Sequence, residues 1–128
     1  MICALAYSAL AESRAVKPLQ EWRGRIDNAS VGLAPARGYF ANQGELDRLW
    51  AAWRIPGPCP KVDFKTQLML VRTCNCSQIS VAPLLKEKGN LQVQVTITKD
   101  LREDTGYILV LIPRQGIRSI DGKPLEAD

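Results

Sequence analysis

Residues 42–53 read NQGELDRLWAAW, and this stretch predicts the clearest helix of the chain. Asn42 is a favourable N-cap, and Glu45 can complete a capping box with it. The apolar residues that follow recur at i, i+3, i+4 and i+7, which places them on one helix face. Pro56 limits the helix, because the residue before a proline avoids helical dihedrals. We therefore predict an amphipathic helix over about residues 43–54. Its apolar face consists of Leu46, Leu49, Trp50 and Trp53, with the tryptophans as core anchors.

The stretch from Tyr39 to Pro113 otherwise has the patterns of strands. Residues 66–72 and 107–112 are apolar on both faces, as expected at the centre of a sheet. Residues 91–98 alternate between apolar side chains and Gln or Thr, which is typical of a half-buried strand. The alternation predicts that Leu91, Val93, Val95 and Ile97 all face the core.

Weaker patterns complete the fold prediction. Residues 21–27 read as a first strand, residues 30–33 as a brief strand within a loop, and residues 78–82 as a strand that Pro83 interrupts. An Asp-Gly turn at Asp121 closes the chain. Together the elements predict an α+β fold, mainly an antiparallel sheet of about five to seven strands with one helix packed on it.

At 128 residues the chain has the length of one domain. We place that domain at residues 21–128, after an apolar N-terminal segment and linker at residues 1–20. The segment ends in Ser8-Ala9-Leu10-Ala11, a small-x-small pattern like that before a signal-peptidase cut, although no basic region precedes it. It is either a signal-peptide remnant, which favours an exported or periplasmic protein over a cytoplasmic one, or a short terminal helix.

Composition limits the chemistry that the chain can perform. There is no histidine, so the commonest general base and nitrogen ligand are missing. The net charge of +4 is spread over mixed-sign stretches such as Lys99 to Asp104, which does not indicate a nucleic-acid surface. Asp63 beside Phe64 is the one carboxylate considered for acid–base chemistry, and a turn cap is its simpler role. We predict no catalytic residues, no cofactor and no membrane span.

The reactive side chains are four cysteines, of which Cys59, Cys74 and Cys76 lie within the predicted fold. We expect a disulfide from Cys59 to Cys74 or Cys76 if the protein is exported, since a C-x-C bridge is strained and rarer. Such a bond closes a loop of about 15 residues and stabilises the fold by about 3 kcal/mol. Reduced, structural thiols are the alternative. A zinc site on the three thiolates lacks a fourth ligand and the paired C-x2-C spacing.

Five segments follow one another in a specific order along the chain. They are Glu45-Leu46-Asp47-Arg48-Leu49-Trp50, Pro60, Val62-Asp63-Phe64, Leu68-Met69-Leu70-Val71 and Tyr107-Ile108-Leu109-Val110-Leu111-Ile112-Pro113. This order resembles the C-terminal domain of the protease-complex-stabilising (PrcB-type) proteins of bacteria. The resemblance covers about Gly38 to Pro113. Cys74-Asn75-Cys76-Ser77 stands where the family has a glycine-rich Gly-Gly-Tyr, and Gly106 stands where the family has a proline.

The resemblance implies an exported, non-catalytic accessory domain that binds and stabilises a partner protein, such as a protease. The alternative function is a thiol-based redox or metal site on Cys59, Cys74 and Cys76. Exposure alone suggests the strip Asn75 to Gln78 and the loop Lys99 to Thr105 as partner contacts.

Overall fold

Two β-sheets and one α-helix are stacked in three layers in the computed structural model, which describes residues 13–125. The helix, α1, spans Gln43–Ala52, and short 3-10 helices span Asn28–Leu33 and Glu87–Gly89. The strands within that range are β1 (Arg14–Ala15), β2 (Gln20–Ile26), β3 (Tyr39–Phe40), β4 (Gln67–Cys74), β5 (Ile79–Leu85), β6 (Asn90–Ile97), β7 (Thr105–Pro113), β8 (Ser119–Ile120) and β9 (Lys123–Pro124).

Strand β7 is the centre of the middle layer, whose strand order is β2-β7-β4-β3. It pairs antiparallel with β2 on one side and with β4 on the other. Every residue from Thr105 to Ile112 is buried. The prediction that β4 and β7 are two-sided central strands is therefore confirmed.

The alternating side chains of β7 separate two apolar cores. Ile108, Val110 and Ile112 face the outer sheet, whose strand order is β1-β5-β6-β8-β9. Tyr107 and Leu109 face α1. The α+β class is confirmed, but the strands of residues 13–125 number nine and form two sheets. The added strands β1, β3, β8 and β9 have two residues each, too few to show a period.

Helix α1 has the predicted face and the predicted cap. The Glu45 amide donates to the Asn42 side chain at 3.0 Å, while the Glu45 carboxylate accepts from the Ala41 amide at 2.8 Å rather than from Asn42 itself. All four apolar residues of the predicted face are buried. The indole N–H groups of Trp50 and Trp53 donate to backbone carbonyls, each at 3.0 Å, which satisfies their polar atoms inside the core.

Two local predictions are wrong for identifiable reasons. Residues 28–33 form a 3-10 helix rather than a strand, because the Asp27 carboxylate caps it by accepting from the Ser30 amide and hydroxyl. Pro83 lies inside β5 instead of interrupting it. The backbone nitrogen and carbonyl of Pro83 point away from β6, and the carbonyl accepts from the amide of Val16, which follows β1. The proline therefore removes no hydrogen bond between β5 and β6.

The folded unit begins earlier than predicted. Strand β1 pairs with the end of β5, and Val16 is buried in the core between the sheets. Part of the stretch predicted as linker therefore belongs to the domain, and the boundary at residue 20 falls at the start of β2. The predicted signal remnant at residues 1–11 lies outside the described residues.

We expect the central layer to dominate stability. Replacing Leu109 by Ala removes a fully buried side chain between β7 and α1 and lowers the free energy of unfolding by about 2–5 kcal/mol. Leu101→Ala is the matched control, because Leu101 is 87 % exposed, and its effect stays within about 0.5 kcal/mol. Urea unfolding of both variants measures the difference, and equal midpoints contradict the assignment of the core.

Candidate protein-interaction surface

The second half of β6 is more exposed than its pattern predicts. Leu91 and Val93 are buried, but Val95 is 42 % and Ile97 51 % exposed. The prediction that all four belong to the core therefore holds for the first two and is wrong for the last two. These four residues share one face of the outer sheet, but β8 flanks β6 only at Asn90 and Leu91. Beyond Leu91 no strand of the described residues lies beside this edge of the sheet, and the side chains of Val95 and Ile97 remain in contact with solvent.

The backbone of β6 also has an open side there. The even-numbered residues of β6 bond to β5. For example, the Thr98 amide donates to the Gln78 carbonyl at 3.1 Å. Odd-numbered residues therefore direct their N–H and C=O groups away from β5. The Leu91 carbonyl accepts from the Asp121 amide at 2.8 Å, and the Val93 amide donates to the Asp121 carboxylate at 2.9 Å. Within residues 13–125, the corresponding groups of Val95 and Ile97 have no strand beside them.

The other sheet edges have features that oppose strand addition. Edge strands β1, β3 and β9 contain two residues each, and short edges pair poorly. Strand β2 has exposed charged residues at Glu21, Arg23 and Arg25. The free part of β5 contains Pro83, and its Ile79 carbonyl accepts from the Arg23 guanidinium at 3.3 Å. In contrast, Gln94 to Ile97 contains no charge, proline or glycine, so this segment is the least protected edge described.

The loop after β6 is held away from this edge. Asp100 accepts from the Ser77 hydroxyl and amide and from the Thr98 hydroxyl, and the Arg102 amide donates to the Asn75 carbonyl at 2.9 Å. The hydrogen bonds from Ser77 and Thr98 hold the pKa of the Asp100 carboxyl well below its usual range. The two strips suggested by exposure alone thus contact each other on the β5 side, which leaves the outer edge of β6 clear.

The cysteines do not form the predicted arrangement. Cys74 and Cys76 are joined to each other, with Cα atoms 5.3 Å apart, and Cys59 is free. The predicted bond from Cys59 to either of them does not form because the middle sheet separates them. Cys59 packs on the core beside α1, and Cys76 is buried in the core between the sheets. Among residues 13–125 no three Cys, Asp or Glu side chains are grouped as metal ligands would be, so the three-thiol site is not assembled.

Cys59 lies in an environment that disfavours its thiolate. Burial, together with a hydrogen bond to Asp47 and the charge of that carboxylate, raises the pKa of the Cys59 thiol to about 11. Gln43 also donates to its sulfur at 3.8 Å. A reactive thiol requires the opposite shift.

Asp63, the carboxylate considered for acid–base chemistry, is an exposed turn residue. Its side chain accepts from the Lys65 amide at 3.1 Å, and its carbonyl accepts from the Thr66 and Gln67 amides. This is the simpler role that the sequence allows, that of a turn cap leading into β4.

Comparisons of the chain with protein-family models, curated proteins and solved structures found no match. The resemblance to the PrcB-type domain accordingly stays a prediction. None of the helices in the described part of the chain is long and apolar enough to cross a bilayer.

The thiol environment predicts slow alkylation of Cys59. A raised pKa leaves little thiolate below pH 9, so in a Cys3→Ser background the rate of iodoacetamide labelling should rise only as the pH approaches about 11. Asp47→Asn should accelerate labelling at pH 8, because it removes the charge that opposes the thiolate. Asp63→Asn serves as the control. A native rate that already levels off near pH 9 contradicts this account.

Proposed function

We propose that this chain is a non-enzymatic protein-binding domain of the bacterial cell envelope that stabilises a partner protein, such as a protease. The observation that supports binding is the open edge of β6. A strand from a partner that aligns there can bond to the outward N–H and C=O groups of Val95 and Ile97. The exposed side chains of the same two residues add apolar contacts on one face of the extended sheet.

Two further observations support the envelope setting and the kind of partner. A disulfide between Cys74 and Cys76, whose Cα atoms lie 5.3 Å apart, would fit an oxidising compartment, because disulfides are rare in proteins of the cytosol. The resemblance to the PrcB-type domain implies an exported accessory protein. Because the edge offers mainly backbone groups, the partner segment is expected to be extended and apolar at alternate positions.

The alternative function is thiol-based redox exchange, for which Cys74 and Cys76, with Cα atoms 5.3 Å apart, are the available pair. Cys59 plays no part in this alternative, since it lies on the other face of the middle sheet. The reduction potential of the pair separates the two functions. A structural bond has a potential below about −300 mV, whereas an exchanging pair lies near the −180 mV of disulfide isomerases.

Lysine substitutions at the edge test the proposed function. Val95→Lys with Ile97→Lys should abolish crosslinking to the partner in the native organism, because edge lysines oppose strand addition. Leu19→Lys with Leu33→Lys is the matched control, since it changes two exposed apolar residues away from this edge. Mass spectrometry identifies the crosslinked protein. Capture of the same protein at the same yield by both double variants would rule out the edge as the binding surface.

A further inference from the structure

We propose that the open edge of β6 also binds β6 of a second copy of this chain, antiparallel, about a two-fold axis at Thr96. This inference rests on the proposed function only in that both use the same edge. The resulting dimer joins the two outer sheets into one continuous sheet and is a closed, isologous pair.

The free backbone groups restrict the register. Only odd-numbered residues point outward, so hydrogen-bonded pairs across the axis must join odd residues. Pairing Val95 with Ile97 of the second copy, and Ile97 with its Val95, uses the free groups of both residues in four backbone bonds. A register centred on Val95 instead requires the Val93 amide, which already donates to Asp121 at 2.9 Å. The register centred on Thr96 displaces no existing bond.

Side chains on the inner face fit the same register. Val95 lies opposite Ile97 of the other copy, so two exposed apolar pairs become cross-strand contacts. Each Lys99, where the chain leaves the ladder, comes near Val93 of the other copy, whose amide is held by the Asp121 carboxylate at the edge of the sheet. The half-exposed Asp121 already contacts Arg72 at 3.4 Å, and the incoming lysine adds a second cation to it.

The chain path leaves room for the second copy. Strand β8 occupies the edge beside Asn90 and Leu91, and a straight extension of the incoming β6 would run into it. The chain bends at Lys99, and Asp100 then bonds Ser77 on the β5 side. In the dimer each loop therefore turns away from the other copy before it reaches β8. Self-pairing and partner binding occupy the same groups, so they exclude each other.

A cysteine at the axis tests the register. Thr96 faces its own counterpart as a non-hydrogen-bonded pair, in which Cα atoms lie about 4.5 Å apart, within the range of a disulfide. In a Cys3→Ser, Cys59→Ser background, the Thr96→Cys variant should form a covalent dimer under mild oxidation. Gln94→Cys is the matched control: it lies on the same exposed face, but its counterpart is about 13 Å away along the strand. It should remain a single chain.

Sedimentation of the unmodified chain provides a second measurement. The mass should rise with concentration from 14.2 kDa toward twice that value, and Ile97→Lys should keep it at the single-chain mass. Equal crosslinking of Thr96→Cys and Gln94→Cys, or a single-chain mass at every concentration, overturns self-pairing. Either result leaves the proposed function standing if the double lysine variant still loses its partner. If that variant also retains its partner, both fail.

Discussion

The pairing of β7 on both of its sides is the constraint on which the rest of the structure depends. Because β7 bonds to β2 and to β4 and is buried on both faces, it requires a cover above and below. Helix α1 with its two tryptophans covers one face, and the outer sheet covers the other. The three layers follow from a strand that has no polar face.

In the described part of the chain, the outer sheet is not covered on both faces in this way. Its exposed edge results from a short hairpin. Strands β8 and β9 are joined through Asp121 and Gly122, both with positive φ, as a type I′ hairpin turn requires. The hairpin covers β6 only at Asn90 and Leu91, and the Asp121 carboxylate extends the cover to Val93. The length of this hairpin therefore decides which residues of β6 are available to another chain.

Much of the fold could be predicted from local pattern. The helix was predictable because the cap at Asn42 agrees with the periodicity of the Leu-Trp face. The central strands were predictable because their middle residues are apolar on both faces. The exposure of Val95 and Ile97 could not be predicted, because alternation shows which face of a sheet a side chain is on but not how far the layer that covers this face extends. The cysteine pairing depends on which side of the middle sheet each thiol lies, which spacing along the chain does not specify. The absence of charge between Gln94 and Ile97 was the one available signal for the edge.

Hydrogen exchange at single amides of β6 tests the open edge most directly. At concentrations where the chain is a monomer, the Val95 and Ile97 amides should exchange rapidly, while those of Gln94 and Thr96, which bond to β5, should be protected. Slow exchange of Val95 and Ile97 in the monomer, equal to that of their neighbours, would mean that another part of the chain covers this edge. The account of β6 as an interaction surface would then be wrong.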